Sequence, residues 1–405
     1  MAGLRPHAAV PRALQILSRE RPPRLLRLRP AQHPKAPTNS PQLIPSHRLR
    51  PLPLPHVDGL PPDAESTNDI PPDEIPYLKK AFDGLKLPFA DFLREKKPTW
   101  VIVDFAHYWL PHIAAEFGIP CAYFSIIPAS SLAFFGPSSL LLDGNPRRAV
   151  EGYTAPPEWI PSSSSSFDSS IAYRLHEARW MVEAHFKNAS GVSDAHRLGV
   201  VLDGCKLVAV RTVTELESDW LRLLAESIYK KPVVPVGLLP PAPQLVCDDK
   251  TATSADMVTG WLDAQSPGTV VYVAFGSEAV MAGELVQELA LGLELSNAPF
   301  LWAYRKPSEL PEGFEDRVRG RGLVAAGWVP QLGVLAHRSV GAFFTHCGAS
   351  SVIEALRFGL PLIMLPLIVD QGLIARAMAE KYKVGWRCRG TRRTMGRSRA
   401  RGWRR

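Results

Sequence analysis

No stretch of this 405-residue chain approaches the roughly 18 to 20 uninterrupted apolar residues that a membrane-spanning helix requires, and the N-terminus lacks the apolar core of a secretory signal. We therefore expect a soluble, cytoplasmic protein with no membrane span. Cysteine is scarce: Cys121, Cys205, Cys247, Cys347 and Cys388 are odd in number, scattered, and form neither a Cys-x-x-Cys pair nor a mixed Cys/His ligand spacing. Free thiols in a reducing compartment follow, and no metal site is expected. Residues 1 to 75 contain no aromatic side chain, which removes the stacking platforms of a nucleic-acid-binding arm. Acids are almost absent from the two ends, where residues 1–50 carry ten Lys/Arg against Glu20 alone and residues 387–405 carry nine Arg and no acid. The body between them, residues 51–386, holds 28 basic and 38 acidic residues, a net of −10, so the formal charge of +8 belongs to the ends and nucleic acid is not the expected partner.

Neither end has an apolar period long enough to bury a face. Prolines recur through RERPPRLLRLRPAQHPKAPTNSPQLIPSHRLRPLPLP, removing backbone donors and breaking helix and central strand alike. An organellar transit peptide shares the Arg-rich, acid-poor composition, but the prolines oppose the amphipathic helix it needs. Segments translated out of frame account better for an abrupt change of composition at both ends. We expect residues 1–54 to be a disordered, low-complexity basic tail and residues 387–405 an Arg-rich tail.

Between the tails, short apolar runs alternate with amphipathic segments, the pattern of βα units feeding a parallel sheet. IPYLKKAFDGLKLPFADFLREKK places Leu78, Phe82, Leu85, Phe89 and Phe92 at three- and four-residue steps, predicting one helix before the strand WVIVD. YWLPHIAAEFG predicts a helical crossover ended by Gly118, and CAYFSII the next strand. Residues 136–170 read as a long exposed loop, and IAYRLHEARWMVEAHFK as helix. Proline and small polar residues then erase the periodicity, marking a linker at 238–257. After it TVVYVAF, GELVQELALGLEL, PFLWAYR, LVAAG, GAFFT and LPLIMLP repeat the rhythm. The expected fold is α/β, two facing doubly wound Rossmann-like domains at 55–237 and 258–386, with ligands at the carboxyl ends of the strands.

The most informative segment is WVPQLGVLAHRSVGAFFTHCGASSVIEALRFGLPLIMLPLIVDQ, Trp328 to Gln371. Its centre is a strand, a glycine-containing turn HCGAS, and a helix start, which aims backbone N–H groups and the positive end of a helix dipole at one spot. Anions bind at such a spot. His346 and Ser351 add side-chain donors, and Gly348 allows close approach of a phosphate. Taken singly, Trp328, His346 and Glu354 would more often be core aromatic, buried imidazole and solvated helix residue.

In register, however, W-x-P-Q, the H-C-G turn, the helix Glu, G-x-P and the terminal D-Q resemble the signature box of plant family-one UDP-glycosyltransferases, and the likeness extends over roughly residues 55–385. The resemblance implies a GT-B fold, an acceptor-binding first domain and a UDP-sugar-binding second domain. It implies that Trp328 stacks on uracil with Val329 beside it, that Gln331 and Glu354 bind ribose or base-side groups, that His346, Gly348, Ser350 and Ser351 hold the diphosphate with Ser277, and that Asp370 and Gln371 bind sugar hydroxyls. HCGASS departs from the commoner HCGWNS at Ala349 and Ser350, a form that resembles the branch glycosylating acceptors already glycosylated. UDP-glucose or UDP-rhamnose is the implied co-substrate, with a small plant metabolite such as a flavonoid as acceptor, no tightly bound cofactor, no metal, and a monomeric protein.

The resemblance also implies direct, inverting, metal-independent displacement, with a His general base oriented by an Asp. Asp104, at the end of WVIVD, matches the orienting Asp, with a helix N-cap as the alternative reading. The Gly-His element that would carry the base is not found, and His7, His107 and His112 do not take its place. The helices that follow EKYKVGW in the family are replaced by the Arg-rich segment. The expectation is a transferase with an incomplete first domain and a truncated second one, and the alternative is a catalytically impaired relative that binds UDP-sugar without turnover.

Overall fold

A computed structural model describes residues 28–30, 50–67, 69–143, 147, 149–161, 170–240, 249–276, 281–327 and 329–388. A first sheet has four parallel strands in sequence order: β3 (Val101–Val103), β4 (Cys121–Ser125), β5 (Leu207–Val210) and β6 (Val233–Pro235). Four of the five β4 residues are buried, as expected of a parallel strand covered on both faces. A second, six-stranded parallel sheet is built from β7 (Val270–Ala274), β8 (Phe300–Ala303), β9 (Gly322–Ala325), β10 (Val340–Thr345), β11 (Leu362–Met364) and β12 (Gly385–Arg387), in the order β12-β11-β10-β7-β8-β9. The fold is thus two Rossmann-like α/β domains. Period-two alternation sorts the second core: Tyr272 and Phe343 stack at 5.1 Å on one face, while Phe275 and Phe344 meet edge-on at 5.1 Å in the cluster on the other. Among the described residues no helix is long and apolar enough to cross a membrane.

The second sheet reverses direction at β7, which pairs with β8 on one side and β10 on the other. A crevice opens outside the carboxyl ends of the strands at such a switch point, here between the loops after β7 and β10.

Several local expectations are corrected. The single helix expected after residue 74 is two, α1 (Ile75–Asp83) and α2 (Lys86–Lys96). The break falls at Gly84, where an added Cβ would lie 2.5 Å from Pro55 Cγ, so the chain turns around a proline the periodicity did not reveal. In IAYRLHEARWMVEAHFK only Arg179–Glu183 is α-helical. Residues 171–173 are instead buried and held from outside: Tyr173 N donates to the Tyr153 carbonyl at 3.1 Å and Arg376 Nη1 to that of Ala172 at 2.9 Å. The loop expected at 136–170 contains the helix Ser138–Asp143 and the buried Tyr153 and Ile160, although residues 162–169 lie outside the described ones.

Segment boundaries also differ. Inside the expected N-terminal tail, β1 (Leu28–Pro30) pairs in parallel with β2 (Arg50–Leu52); Leu52 is buried in the first core, and Arg50 is ion-paired to Glu95 at 3.1 Å and lies over the Phe92 ring. The helix Asp249–Asp263 begins inside the expected linker and runs into the second domain, with Val258 and Leu262 in the second core. Arg387, the first residue of the expected C-terminal tail, ends β12 and is buried, paired with Glu177 of the first domain.

Candidate functional site

Two loops meet at the switch point. After β7 the chain passes through Phe275 to Gly276, at φ +73°. After β10 it runs through His346, Cys347 (φ +67°) and Gly348 into α10 (Ala349–Arg357). Cys347 N donates to Thr345 Oγ1 at 3.3 Å, which steadies this unusual turn. The His346 ring lies between the two glycines: a Cβ on Gly276 would sit 2.9 Å from His346 Cε1, and one on Gly348 2.6 Å from His346 Nε2. Both positions need glycine because the imidazole fills the space. Burial pushes the His346 imidazole down to about 4, opposed by the Ala274 carbonyl, so it is neutral at physiological pH and acts as an N–H donor rather than a cation. Its Nδ1 is buried and, among the described residues, without a partner. A neutral imidazole carries a single N–H, so this buried nitrogen beside a helix N-terminus suits an incoming oxygen atom in the Nδ1–H tautomer.

Ser350 is exposed on the first turn of α10, Ser351 is partly buried, and Glu354 is buried one turn further. Gln331, which opens the short helix Gln331–Leu335 after Pro330, donates from Nε2 to Glu354 Oε2 at 2.7 Å and lies 3.4 Å from the Tyr272 hydroxyl. Val329 packs on the core below them. The structure therefore brings Gln331 and Glu354 together on the helix side of the His346 turn. Trp328 and Ser277 lie outside the described residues.

Beyond β11, the buried Gln371 accepts at Oε1 from the backbone N–H groups of Leu367 and Ile368, both at 2.9 Å, which fixes the loop. Val369, β-branched and 41% exposed, is held at φ +49°, strain of the kind stored at functional loops. Asp370 follows, and burial pushes its carboxyl up to about 6.

Asp104 stands at the carboxyl end of β3, exposed, and accepts from Ala106 N at 2.9 Å while its own N–H donates to His107 Nδ1 at 3.3 Å. This is the geometry of the N-cap reading. His107 is packed edge-on to Phe82 at 4.9 Å, and His112 is exposed on the helix Leu110–Glu116. Sequence reasoning missed Arg211, whose Nη1 donates to Ser350 Oγ at 2.6 Å from the first domain. Its position immediately after β5, at a strand's carboxyl end, was the available signal.

Residues 137–389 match the family model described as UDP-glucoronosyl and UDP-glucosyl transferase. The chain is 46% identical over 340 residues to UDP-glycosyltransferase 91D1 of Stevia rebaudiana, covering 82% of this chain and 68% of that protein. It is 41% identical over 354 residues to the soyasaponin III rhamnosyltransferase of Glycine max, with 86% and 72% covered. The solved structure of Phytolacca americana UGT2 with UDP-2fluoro-glucose and pterostilbene superposes with a TM-score of 0.65 at 28% identity, covering 89% of this chain and 76% of that one. The chain therefore belongs to the plant family-one UDP-glycosyltransferases, GT-B enzymes that transfer a sugar from a UDP-sugar co-substrate to plant metabolites.

Proposed function

We propose that the crevice after β7 and β10 binds the donor, with His346 and the first turn of α10 on the diphosphate, Gln331 and Glu354 on the ribose side, Trp328 over uracil with Val329 beside it, and Asp370 and Gln371 on the sugar. Gly348 makes room for the His346 ring beside the phosphate, and Ser277, Ser350 and Ser351 add hydroxyl donors. The observation that carries this reading is the glycine-flanked, neutral His346 ring with its unpartnered Nδ1, set at the switch point beside a helix N-terminus. Transfer is then an inverting, metal-independent displacement: the acceptor hydroxyl gives its proton to a general base as its oxygen attacks the anomeric carbon, the bond to the phosphate oxygen breaks, and hydrogen bonds from the turn stabilise departing UDP.

The acceptor is a hydroxyl of a glycosylated small metabolite, in keeping with the Ala349-Ser350 form of the box. The donor is UDP-glucose or UDP-rhamnose, the second supported by the name of the soybean relative. A cavity of about 410 Å³ in the first domain, lined by the apolar Leu141, Val182 and Phe186 and by the polar Arg147, His185, Lys187 and His196 among others, has the size of an acceptor site. Asp104 is the candidate orienting acid, and none of His7, His107 and His112 is assigned as the base. The engagement of the Asp104 side chain as an N-cap, accepting from Ala106 N, favours a second reading, donor binding without turnover.

The deciding experiment incubates the protein with each donor, with and without a panel of flavonoid and triterpenoid glycosides, and follows UDP release. Acceptor-dependent release, lost in His346→Ala, is the expected result. A donor-induced rise in melting temperature without release supports binding alone, and no donor effect at all overturns the donor site.

A further inference from the structure

Arg211 belongs to the first domain, yet its side chain leaves it. Nε donates to the Leu238 carbonyl at 2.7 Å and Nη2 to that of Leu239 at 3.1 Å, so two arms of the guanidinium are fixed on the segment that leads out of β6. The third arm, Nη1, reaches Ser350 Oγ at 2.6 Å, on the first turn of the nine-residue helix α10. The fork is oriented before any ligand arrives, and it points at the turn that carries His346.

The sign of this contact is informative. A helix N-terminus is the positive end of the dipole, so a cation is disfavoured there and an anion favoured. Cationic fork and helix end facing each other become a favourable arrangement once an anion lies between them. The imidazole beside them is neutral at physiological pH, so it supplies a hydrogen bond and no charge. Burial works against the Arg211 charge and nearby Glu354 supports it. Arginine is suited to this place because its planar fork can keep its carbonyl acceptors while presenting an N–H edge to a phosphate.

We propose that Arg211 is a donor-binding residue supplied by the first domain, its guanidinium pairing with the diphosphate of the UDP-sugar across the interdomain cleft. This rests on the donor site described above. The leaving group is then clamped from both sides, and the domain proposed to hold the acceptor senses whether a charged donor is present.

The competing role is a strut that fixes the linker and α10 without touching ligand. Calorimetric titration of the full chain with UDP and with uridine separates the two, because uridine fills the base and ribose side but carries no phosphate. In Arg211→Gln, UDP affinity is expected to fall about 10- to 100-fold, as for loss of a charge-assisted hydrogen bond pair. Uridine affinity should hold, and Arg211→Lys should lie between Gln and wild type. UDP affinity within twofold of wild type in Arg211→Gln overturns the proposal, as does an equal loss for UDP and uridine, the mark of a strut. If Arg211→Gln fails to fold, the same UDP-to-uridine ratio is read from Arg211→Lys, where an unchanged ratio overturns the proposal. A wild-type protein that binds neither ligand overturns the donor site itself, and this proposal with it.

Discussion

The Glu177 carboxylate and the Arg387 guanidinium meet across the two domains, each side chain about 5% exposed. Glu177 also accepts from Arg174 N at 2.8 Å, while Arg174 Nη1 donates to the Cys388 carbonyl at 2.5 Å and Tyr382 to that of Leu216 at 2.5 Å. The end of the second sheet is thereby fastened to the first domain. Removing one member of a buried pair strands the other charge, at a cost of about 3–5 kcal/mol. Glu177→Gln should lower the denaturation midpoint accordingly, and Glu177→Gln with Arg387→Met should recover part of the loss. Equal midpoints for wild type and Glu177→Gln would show a solvated pair.

The glycines around His346 yield a second prediction. Gly276→Ala adds a Cβ 2.9 Å from the ring at a backbone angle that favours glycine, and Gly348→Ala adds one 2.6 Å from Nε2. Each variant must displace the imidazole. UDP affinity should fall at least about tenfold, which corresponds to about 1.4 kcal/mol, as measured by calorimetry. Unchanged affinity in both variants would mean that the imidazole does not touch the donor.

The strands were legible because buried parallel strands are continuous apolar runs, as in CAYFS and VVYVA, and the donor loop was legible because its residues are close together between Trp328 and Gln371. What the sequence hid is set by distant partners. The break at Gly84 depends on Pro55, the extended Ile171–Tyr173 on Tyr153 and Arg376, and Arg211 finds Ser350 139 residues away. No periodicity within a window of one helix reports such contacts.

Gln331 and Glu354, 2.7 Å apart, supply a third prediction. If Glu354 accepts from ribose hydroxyls while Gln331 steadies it, Glu354→Ala should weaken UDP by about tenfold, the loss of one hydrogen bond to a charged group. The deoxyribose analogue dUDP should lose less, so the preference for UDP narrows. A preference preserved in Glu354→Ala would place the ribose elsewhere.

Asp370 carries the last prediction, in which stability and function should part. Its buried carboxyl is raised from the ordinary 3.8 to about 6, so the folded state holds the proton more tightly than the unfolded one. The stability this confers is fully present below pH 3.8 and is lost as pH rises through about 6, a difference of about 3 kcal/mol between the limits. His346 acts in the opposite sense: lowered from 6.5 to about 4, its contribution is present above pH 6.5 and lost as pH falls towards 4. The two offset each other in wild type between about pH 4 and 6, and replacing one exposes the other. Asp370→Asn, which cannot ionise, should therefore be more stable than wild type at pH 7.5 by up to about 3 kcal/mol, and nearly equal to it at pH 4. The same variant should bind or turn over UDP-sugar more weakly at pH 7.5, because an amide cannot accept sugar hydroxyls as a carboxylate does. Denaturant titrations at the two pH values, with donor affinity at pH 7.5, decide it: a variant no more stable than wild type at pH 7.5 would mark Asp370 as an ordinary solvated carboxylate at a helix start rather than a charge kept at a cost for the donor sugar.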